Sequence, residues 1–510
     1  MLNSALNSAN RRKVVAATAL ISQYESAISH YTSLVNKARE ERQSVQVELD
    51  AIVYPVLTLP VEITAEIFLH CLTTSCAVDL NPWNTTRIPL LLTRICRLWR
   101  EIAISTPALW ANVKLKIADD ARGAEIINTW SARAGGLLQS IKQWVDDTDS
   151  DDSDEDDSDE EDVPFVGRPL PMVFKALLAA SDQIQCLDMP DIGVENLPEL
   201  DGIAAGAYNF PALQKLAIGF RMDDPLVHES WEDWDTPSVQ VFASAPLLHE
   251  AHLIGVPPLF TPLPWHQLTM FTGHLFSAHW CLEVLRLCPN LTESTFTSFA
   301  NASDIIGVTT HSGLKSLTIL GIRNACRVDI LEYLALPALL SLHILDCRFG
   351  ASHKSWLDAF LLRSPTLREC VLDPGVDAGR MDPDVFFSMS ALTILELRRA
   401  GGSFLHVFFN HLGADTNYLP ALQRLTVSNC WGRESQGVSQ IIQPGLRARW
   451  NARYNDGIAP LISFRLVLAS YNYASASGEL KEDALRPFKT LKAEGLNISM
   501  EISGYGQVSL

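Results

Sequence analysis

The sequence predicts two fold classes in succession, α and then α/β. An N-terminal helix able to enter a coiled coil comes first, then a small all-α segment. An irregular solenoid of repeats, with a curved parallel sheet inside, completes the chain. Three observations predict this. Apolar residues recur at steps of three and four from Val14 to Ile52, and the stretch from Leu57 to Trp110 is apolar on more than one helical face. From Val163 to the end, a few short leucine phrases keep returning. At 510 residues the chain exceeds a single compact core, and 47% apolar against 19% charged content leaves ample material for burial. The expected divisions are 1–54, 55–110 and 111–510, with a disordered acidic insertion at 146–162.

The first division reads as one helix. Val14, Ala17, Ile21, Tyr24, Ile28, Tyr31, Val35, Ala38, Val45, Leu49 and Ile52 form a narrow seam, broken only by Arg42. No proline or glycine interrupts it. A seam kept over five heptads is the pattern of a coiled coil, and residues 14–52 could join two copies of the chain. The competing reading is one amphipathic helix lying on the protein's own body. Pro55 ends the run.

Pro60 and Glu62 suit the first turn of a second helix. The proline gives up an amide that lacks an intrahelical partner, and the carboxylate meets the positive end of the dipole. Ile63 and Ile67 share one face, while Val61, Phe68 and Leu72 share another. A third helix is expected from Pro89, with Leu91, Ile95, Leu98 and Ile102 on one side and Leu92, Trp99 and Ala103 flanking it. Short helices with two apolar faces can bury one against themselves and offer the other to a partner.

At these residues the chain resembles an F-box: the Leu-Pro-x-Glu-Ile opening, the Ile-Phe-Leu helix and the (Val/Ile)-Cys-Arg-x-Trp-Arg close. The continuation from Ile102 to Trp110 is similar to F-box proteins of mushroom-forming fungi. Those pair the box with an N-terminal coiled coil and a C-terminal leucine-rich-repeat-like region. The segment Thr73 to Arg87 is longer and more polar than in a compact box. The resemblance implies docking on the adaptor subunit of an SCF-type cullin–RING ubiquitin ligase. It implies adaptor contacts at Leu59, Pro60, Ile63, Ile67, Phe68, Leu72, Ile95, Cys96 and Trp99, some of which would instead hold the box together.

Beyond the box, Val113, Leu115 and Ile117 alternate with Asn112, Lys114 and Lys116, as in a half-buried strand. Ala124 to Gln143 is expected to be helix, interrupted at Gly135 and Gly136. Asp146 to Glu161 is nearly pure Asp, Glu and Ser, a composition that cannot bury a core. There Ser153 and Ser158 each precede an acidic residue by three, the pattern that acidophilic kinases such as casein kinase II favour. Phosphorylation would deepen an existing charge.

The repeats follow. Ala245 to Glu250, Cys288 to Glu293 and Ser364 to Glu369 share one phrase; Pro211 to Ile218, Pro337 to Ile344 and Pro420 to Val427 share another. Strands are expected to start near Leu248, Leu268, Leu291, Leu314, Leu339, Leu367, Leu392 and Leu422, at the period of leucine-rich repeats, roughly 20 to 30 residues. Each L-x-x-L strand buries alternate leucines, and units that cannot bury their faces alone must stack. Trp356 to Leu362 reads as a helical return. Leu491 to Met500 resembles the last strand of that fungal group and, by that resemblance, would cap the sheet.

No catalytic constellation is visible. The phosphate loop, the H-E-x-x-H zinc pair and the G-x-S-x-G elbow are all absent. His249 and His252 are expected on opposite sides of a strand. Trp231, Trp234, Trp265, Trp431 and Trp450 are expected in loops or at strand ends, where Trp431 with Arg433 could anchor a partner. Ten cysteines lack C-x-x-C spacing, and Cys96, Cys186, Cys347 and Cys370 read as buried hydrophobes in a reducing compartment. No cofactor or metal is expected. A formal charge of −19 disfavours nucleic acid, and no apolar run approaches the roughly 20 residues of a membrane span. The expected location is cytoplasmic or nuclear. Two functions follow, neither enzymatic: a ligase substrate receptor whose repeats hold an unidentified target protein, or an interaction scaffold dimerised through its coiled coil.

Overall fold

A computed structural model describes residues 2–50, 55–74, 88–115, 120–143, 170–193, 200, 208–221, 239–298, 305, 307–321, 328–347, 353–373, 381–430, 435–454, 457–468, 482–502 and 506–508. The acidic insertion with Ser153 and Ser158, and Trp231, Trp234, Trp431 and Arg433, lie outside them. The chain divides into two units, residues 1–75 with 88–104, and 76–87 with 105–510.

The elements of the first unit are, among its described residues, all helices and turns. Helix α1 (Leu2–Asp50) is one uninterrupted rod of 49 residues. A 3-10 turn at Pro55–Thr58 leads into α2 (Val61–Thr74). Pro60 stands just ahead of α2, and its carbonyl accepts the Thr64 amide at 3.0 Å to close the first turn. The single helix expected from Pro89 is instead two short ones, α3 (Leu92–Ile95) and α4 (Arg97–Ile104). Cys96 between them is extended, at φ −154° and ψ 171°.

The second unit is α/β. Among the described residues, fifteen strands form one sheet, and their order in space is their order along the chain. The first is Asn112–Leu115, next to Gln139–Gln143, and the series runs through Ile184–Gly193, Lys215–Arg221, Glu250–Ile254, Met270–Phe276 and Glu293–Ser298. It continues through Ser316–Gly321, Ser341–Leu345, Glu369–Leu372, Ile394–Arg398, Arg424–Cys430, Ser463–Leu468 and Asn497–Ile502. All these neighbours are parallel; among the described strands of this sheet only Gly506–Val508 runs antiparallel to its neighbour. Parallel strands need a crossover between them. Here the crossovers are helices at Asp120–Ala134, Pro171–Ala179, Ala278–Leu287, His353–Arg363, Gly402–Ala414, Ser435–Asn451 and Glu482–Ala493, with shorter 3-10 turns elsewhere.

Strand alternation places the core. In register across successive strands, Leu317, Leu342, Cys370, Leu395, Leu425, Phe464 and Ile498 make one buried row. Val113 and Leu115 begin the same pattern at the first strand. From Glu250 onward, the strands start at Glu250, Met270, Glu293, Ser316, Ser341, Glu369, Ile394 and Arg424. Each start falls two positions after a leucine expected to open it. Cys347 and Cys370 are buried, whereas Cys96 and Cys186 are half-buried; burial pushes the Cys370 thiol up to about 12.

Three further expectations need correction. After Gly135, which adopts φ +61°, the chain does not resume a helix but enters strand Gln139–Gln143. Trp450 is not in a loop: it lies on helix Ser435–Asn451, largely buried, and donates its indole N–H to Glu494 at 3.0 Å. Strand Asn497–Ile502 is not the last, because Gly506–Val508 pairs outside it.

Local chemistry fixes the crossovers. The carboxylate of Asp120 accepts the amides of Met172 and Val173 at 3.0 and 2.8 Å, capping helix Pro171–Ala179 from the preceding helix. Ser277 caps helix Ala278–Leu287 by accepting the Trp280 amide. Helices Gly402–Ala414 and Ser435–Asn451 touch backbone to backbone. A Cβ on Gly445 would lie 2.0 Å from the Phe409 carbonyl oxygen, and one on Gly413 would lie 2.9 Å from the Ala448 Cβ. Behind that contact, buried Arg449 donates to the carbonyls of Leu419 and Pro420, and desolvation lowers its pKa to about 10.

Gly445→Ala is therefore expected to force the two helices apart and cost about 1–3 kcal/mol. Gly402→Ala is the control, since its Cβ would meet only Ile441 at 3.7 Å. Urea unfolding checks both: the midpoint drops for the first and holds for the second.

Candidate docking platform

The segment around Pro60 sorts its side chains by facing. On α2, Thr64 and Phe68 point inward, with Phe68 only 1% exposed, while Cys71 and Leu72 are half-buried. The hydroxyl of Thr64 is satisfied by the Pro60 carbonyl at 3.1 Å, so this polar group is buried without loss. The Phe68 ring meets Trp99 of α4 edge-on, with centroids 5.0 Å apart. That contact joins the helices.

The break at Cys96 builds the other half. Its thiol sulfur accepts the Trp99 amide at 3.4 Å and so acts as the cap of α4. The Arg100 guanidinium folds back and donates to the Thr93 carbonyl at 2.7 Å, satisfying an acceptor that α3 leaves open at its end. The Thr93 hydroxyl bonds the Leu90 carbonyl at 2.7 Å. Cys-Arg-x-Trp-Arg is thus a local hydrogen-bonded turn. Trp99 is half-buried, and its Nε1 has no hydrogen-bond partner among the described residues.

Beside exposed charges such as Glu62, Glu66, Arg94 and Arg97, a set of apolar side chains also remains outside. Ile63 is 50% exposed, Ile67 41% and Ile95 52%, and Leu57, Leu59, Pro60, Val61, Leu91 and Leu98 are exposed as well. Of the residues singled out as contacts, Leu59, Pro60, Ile63, Ile67 and Ile95 are open to a partner, Leu72, Cys96 and Trp99 are half-buried, and Phe68 is enclosed. Phe68 was expected among the contacts, but it supports the platform from within. Ile102, expected on one side with Leu91, Ile95 and Leu98, is buried while those three are not. The extended residue at Cys96 shifts the helical phase, which a single-helix wheel misses. Val61, Leu91 and Leu98 are accordingly surface that sequence reasoning left out of the contact set.

The second unit offers a surface of another kind. Opposite the buried rows, Lys142, Asp188, Ala217, His252, Thr272, Thr295, Thr318, His343, Val371, Glu396, Thr426, Arg465 and Ser499 lie in register from strand to strand. Its charges are matched across or along strands. Lys142 meets Asp188 at 3.6 Å, His343 meets Glu369 at 3.7 Å and Arg465 meets Glu501 at 2.7 Å. Exposed pairs of this kind add little stability, so they describe a polar, charge-compensated face. Burial holds His252 below the usual imidazole range, with His274 adding to the effect, and burial alone lowers His274. His249 lies ahead of the strand, with its ring against the Leu247 carbonyl. Trp265 sits on a 3-10 turn, half-buried against the core. Among the described residues, no group of three His, Cys, Asp or Glu side chains could hold a metal ion, and no helix is long and apolar enough to cross a membrane.

Neither a protein-family model nor a curated protein matches the chain.

The division between support and surface has a direct consequence. Phe68→Ala should cost about 3–5 kcal/mol locally. Ile67→Ala should stay within about 0.5 kcal/mol of the parent. Hydrogen exchange over residues 61–74 and 88–104 checks this: protection collapses in the first variant and persists in the second.

Proposed function

We propose that the chain is the substrate-recognition subunit of an SCF-type cullin–RING ubiquitin ligase. In this account residues 55–110 are an F-box that docks the adaptor subunit. The fifteen-stranded sheet with its crossovers is a leucine-rich-repeat-like solenoid that holds a target protein. The chain is then not an enzyme; it brings the target to the ligase, in the cytoplasm or nucleus, without cofactor, nucleic acid or membrane.

The observation that carries this is the group of exposed apolar side chains at Leu59, Ile63, Ile67 and Ile95, held out by the Phe68–Trp99 contact. Water-facing isoleucines on short, firmly propped helices gain free energy when a partner covers them, roughly 25 cal/mol per Å² buried. The motif residues supply the geometry: Pro60 starts α2, while Cys96 and Arg100 fold the turn that presents Ile95 and Leu98. The strand-by-strand order of the sheet and the buried leucine ahead of each repeat support the solenoid half.

Capture of the full-length chain on immobilised adaptor subunit tests this. Leu59→Ala with Pro60→Ala should abolish capture while urea unfolding of the sheet stays unchanged. Ile67→Asp, a substitution at an exposed site, should weaken capture by about thirtyfold or more, the equivalent of an interface hot spot. Undiminished capture by both variants would sink the receptor reading.

A further inference from the structure

We infer that α1 pairs antiparallel with α1 of a second copy of this chain, in a register that places residue i opposite residue 66 − i. The seam carries this independently of the ligase reading.

Helix α1 is a rod roughly 73 Å long at 1.5 Å per residue. Ile21, Tyr24, Ile28, Tyr31, Val35, Val45 and Leu49 lie along one stripe of it, and each is about half exposed or more. A helix of this length with a continuous apolar stripe is stabilised when that stripe is covered. The 3-4-3-4 spacing is the one that lets two rods interlock over many turns.

Side-chain size and charge choose the orientation. Side by side in the same direction, each layer would repeat itself: Ala17 on Ala17 and Ala38 on Ala38 leave gaps, and Tyr24 on Tyr24 crowds. Arg42 would face its own copy inside the seam, a like-charge contact. Reversing one helix removes every one of these conflicts. Ala17 then faces Leu49, Ile21 faces Val45, Ile28 faces Ala38 and Tyr31 faces Val35, so small meets large in layer after layer. Arg42 faces Tyr24, whose ring can take a guanidinium over its face while the arginine stem covers the neighbouring turns.

The flanks agree. Leu20, Ala27 and Leu34 widen the stripe on one side. In a parallel pair that flank would lie beside Glu25, Thr32 and Arg39; in the antiparallel register Ala27 and Leu34 of the two copies lie beside one another, while Leu20 falls beside Glu41 and Glu48. The ends agree too. Arg11, Arg12 and Lys13 crowd one end of the rod, while toward the other Glu40, Glu41, Glu48 and Asp50 outnumber Lys37, Arg39 and Arg42 by one. Reversal brings unlike ends together, and the opposite helix dipoles align favourably as well.

The test uses the full-length chain. Light scattering should give the mass of two chains at micromolar concentration. Ile21→Asp with Ile28→Asp should give the mass of one, with an unchanged circular dichroism signal from the sheet. Orientation is read from cysteine cross-linking under mild oxidation, scored against the parent for its native thiols. A chain carrying both Ala17→Cys and Leu49→Cys should trap a covalent dimer, whereas Ala17→Cys alone should not rise above the parent. A mass of one chain or of four, a covalent dimer from Ala17→Cys alone, or none from the double variant would overturn the proposal.

Discussion

Stacking of strands that cannot bury themselves alone is the constraint on which the larger unit depends. Leu248, Leu268, Leu291, Leu314, Leu339, Leu367, Leu392 and Leu422 are all buried, each two positions ahead of its strand. Such a leucine pins the chain as it enters the sheet, and the alternating residues after it fill a row shared with both neighbours. A parallel ladder of this kind has no local hairpin to start it; each strand meets its partner only after 20 or so residues of return. The crossovers must therefore carry their own stops and starts. The Asp120 carboxylate at the head of helix Pro171–Ala179 is one, and the Ser277 cap is another.

Much of this was legible beforehand because the signal is local and repeated. A buried strand in a stack needs leucine-like residues at alternate positions, and the same need recurs at every rung, so the phrase recurs too. The helix at His353–Arg363 was legible for a related reason: its apolar content is dense and no glycine interrupts it. Less was legible where a single residue reverses the course of the chain. Gly135 looked like a flaw within a helix, yet its left-handed conformation ends one element and aims the chain into a strand. Cys96 gave no warning at all. Cysteine has no strong preference for a helix break, and only the contact of its sulfur with the Trp99 amide explains the position. The Gly413–Gly445 approach also escaped notice, because close helix contact depends on two distant glycines meeting in space.

The smaller unit separates two tasks that its sequence motif blends together. A run such as Ile-Phe-Leu reads as uniformly apolar, but one turn of helix sends Phe68 inward and leaves Ile67 in water. The aromatic pair of Phe68 and Trp99 packs the helices together, and Ile63, Ile67 and Ile95 are left in water. A surface is useful for binding to the degree that it does not have to be ordered first. The hydrogen-bonded turn around Arg100 and Thr93 provides that order without drawing on any of the exposed groups.

Gly506–Val508 is, among the described residues, the one place where the ladder changes direction. An open parallel edge at Asn497–Ile502 would offer six residues of unpaired backbone, a template on which another molecule could add and then another. A three-residue strip laid against it in the opposite sense shortens the available rim and mismatches it to any incoming rung.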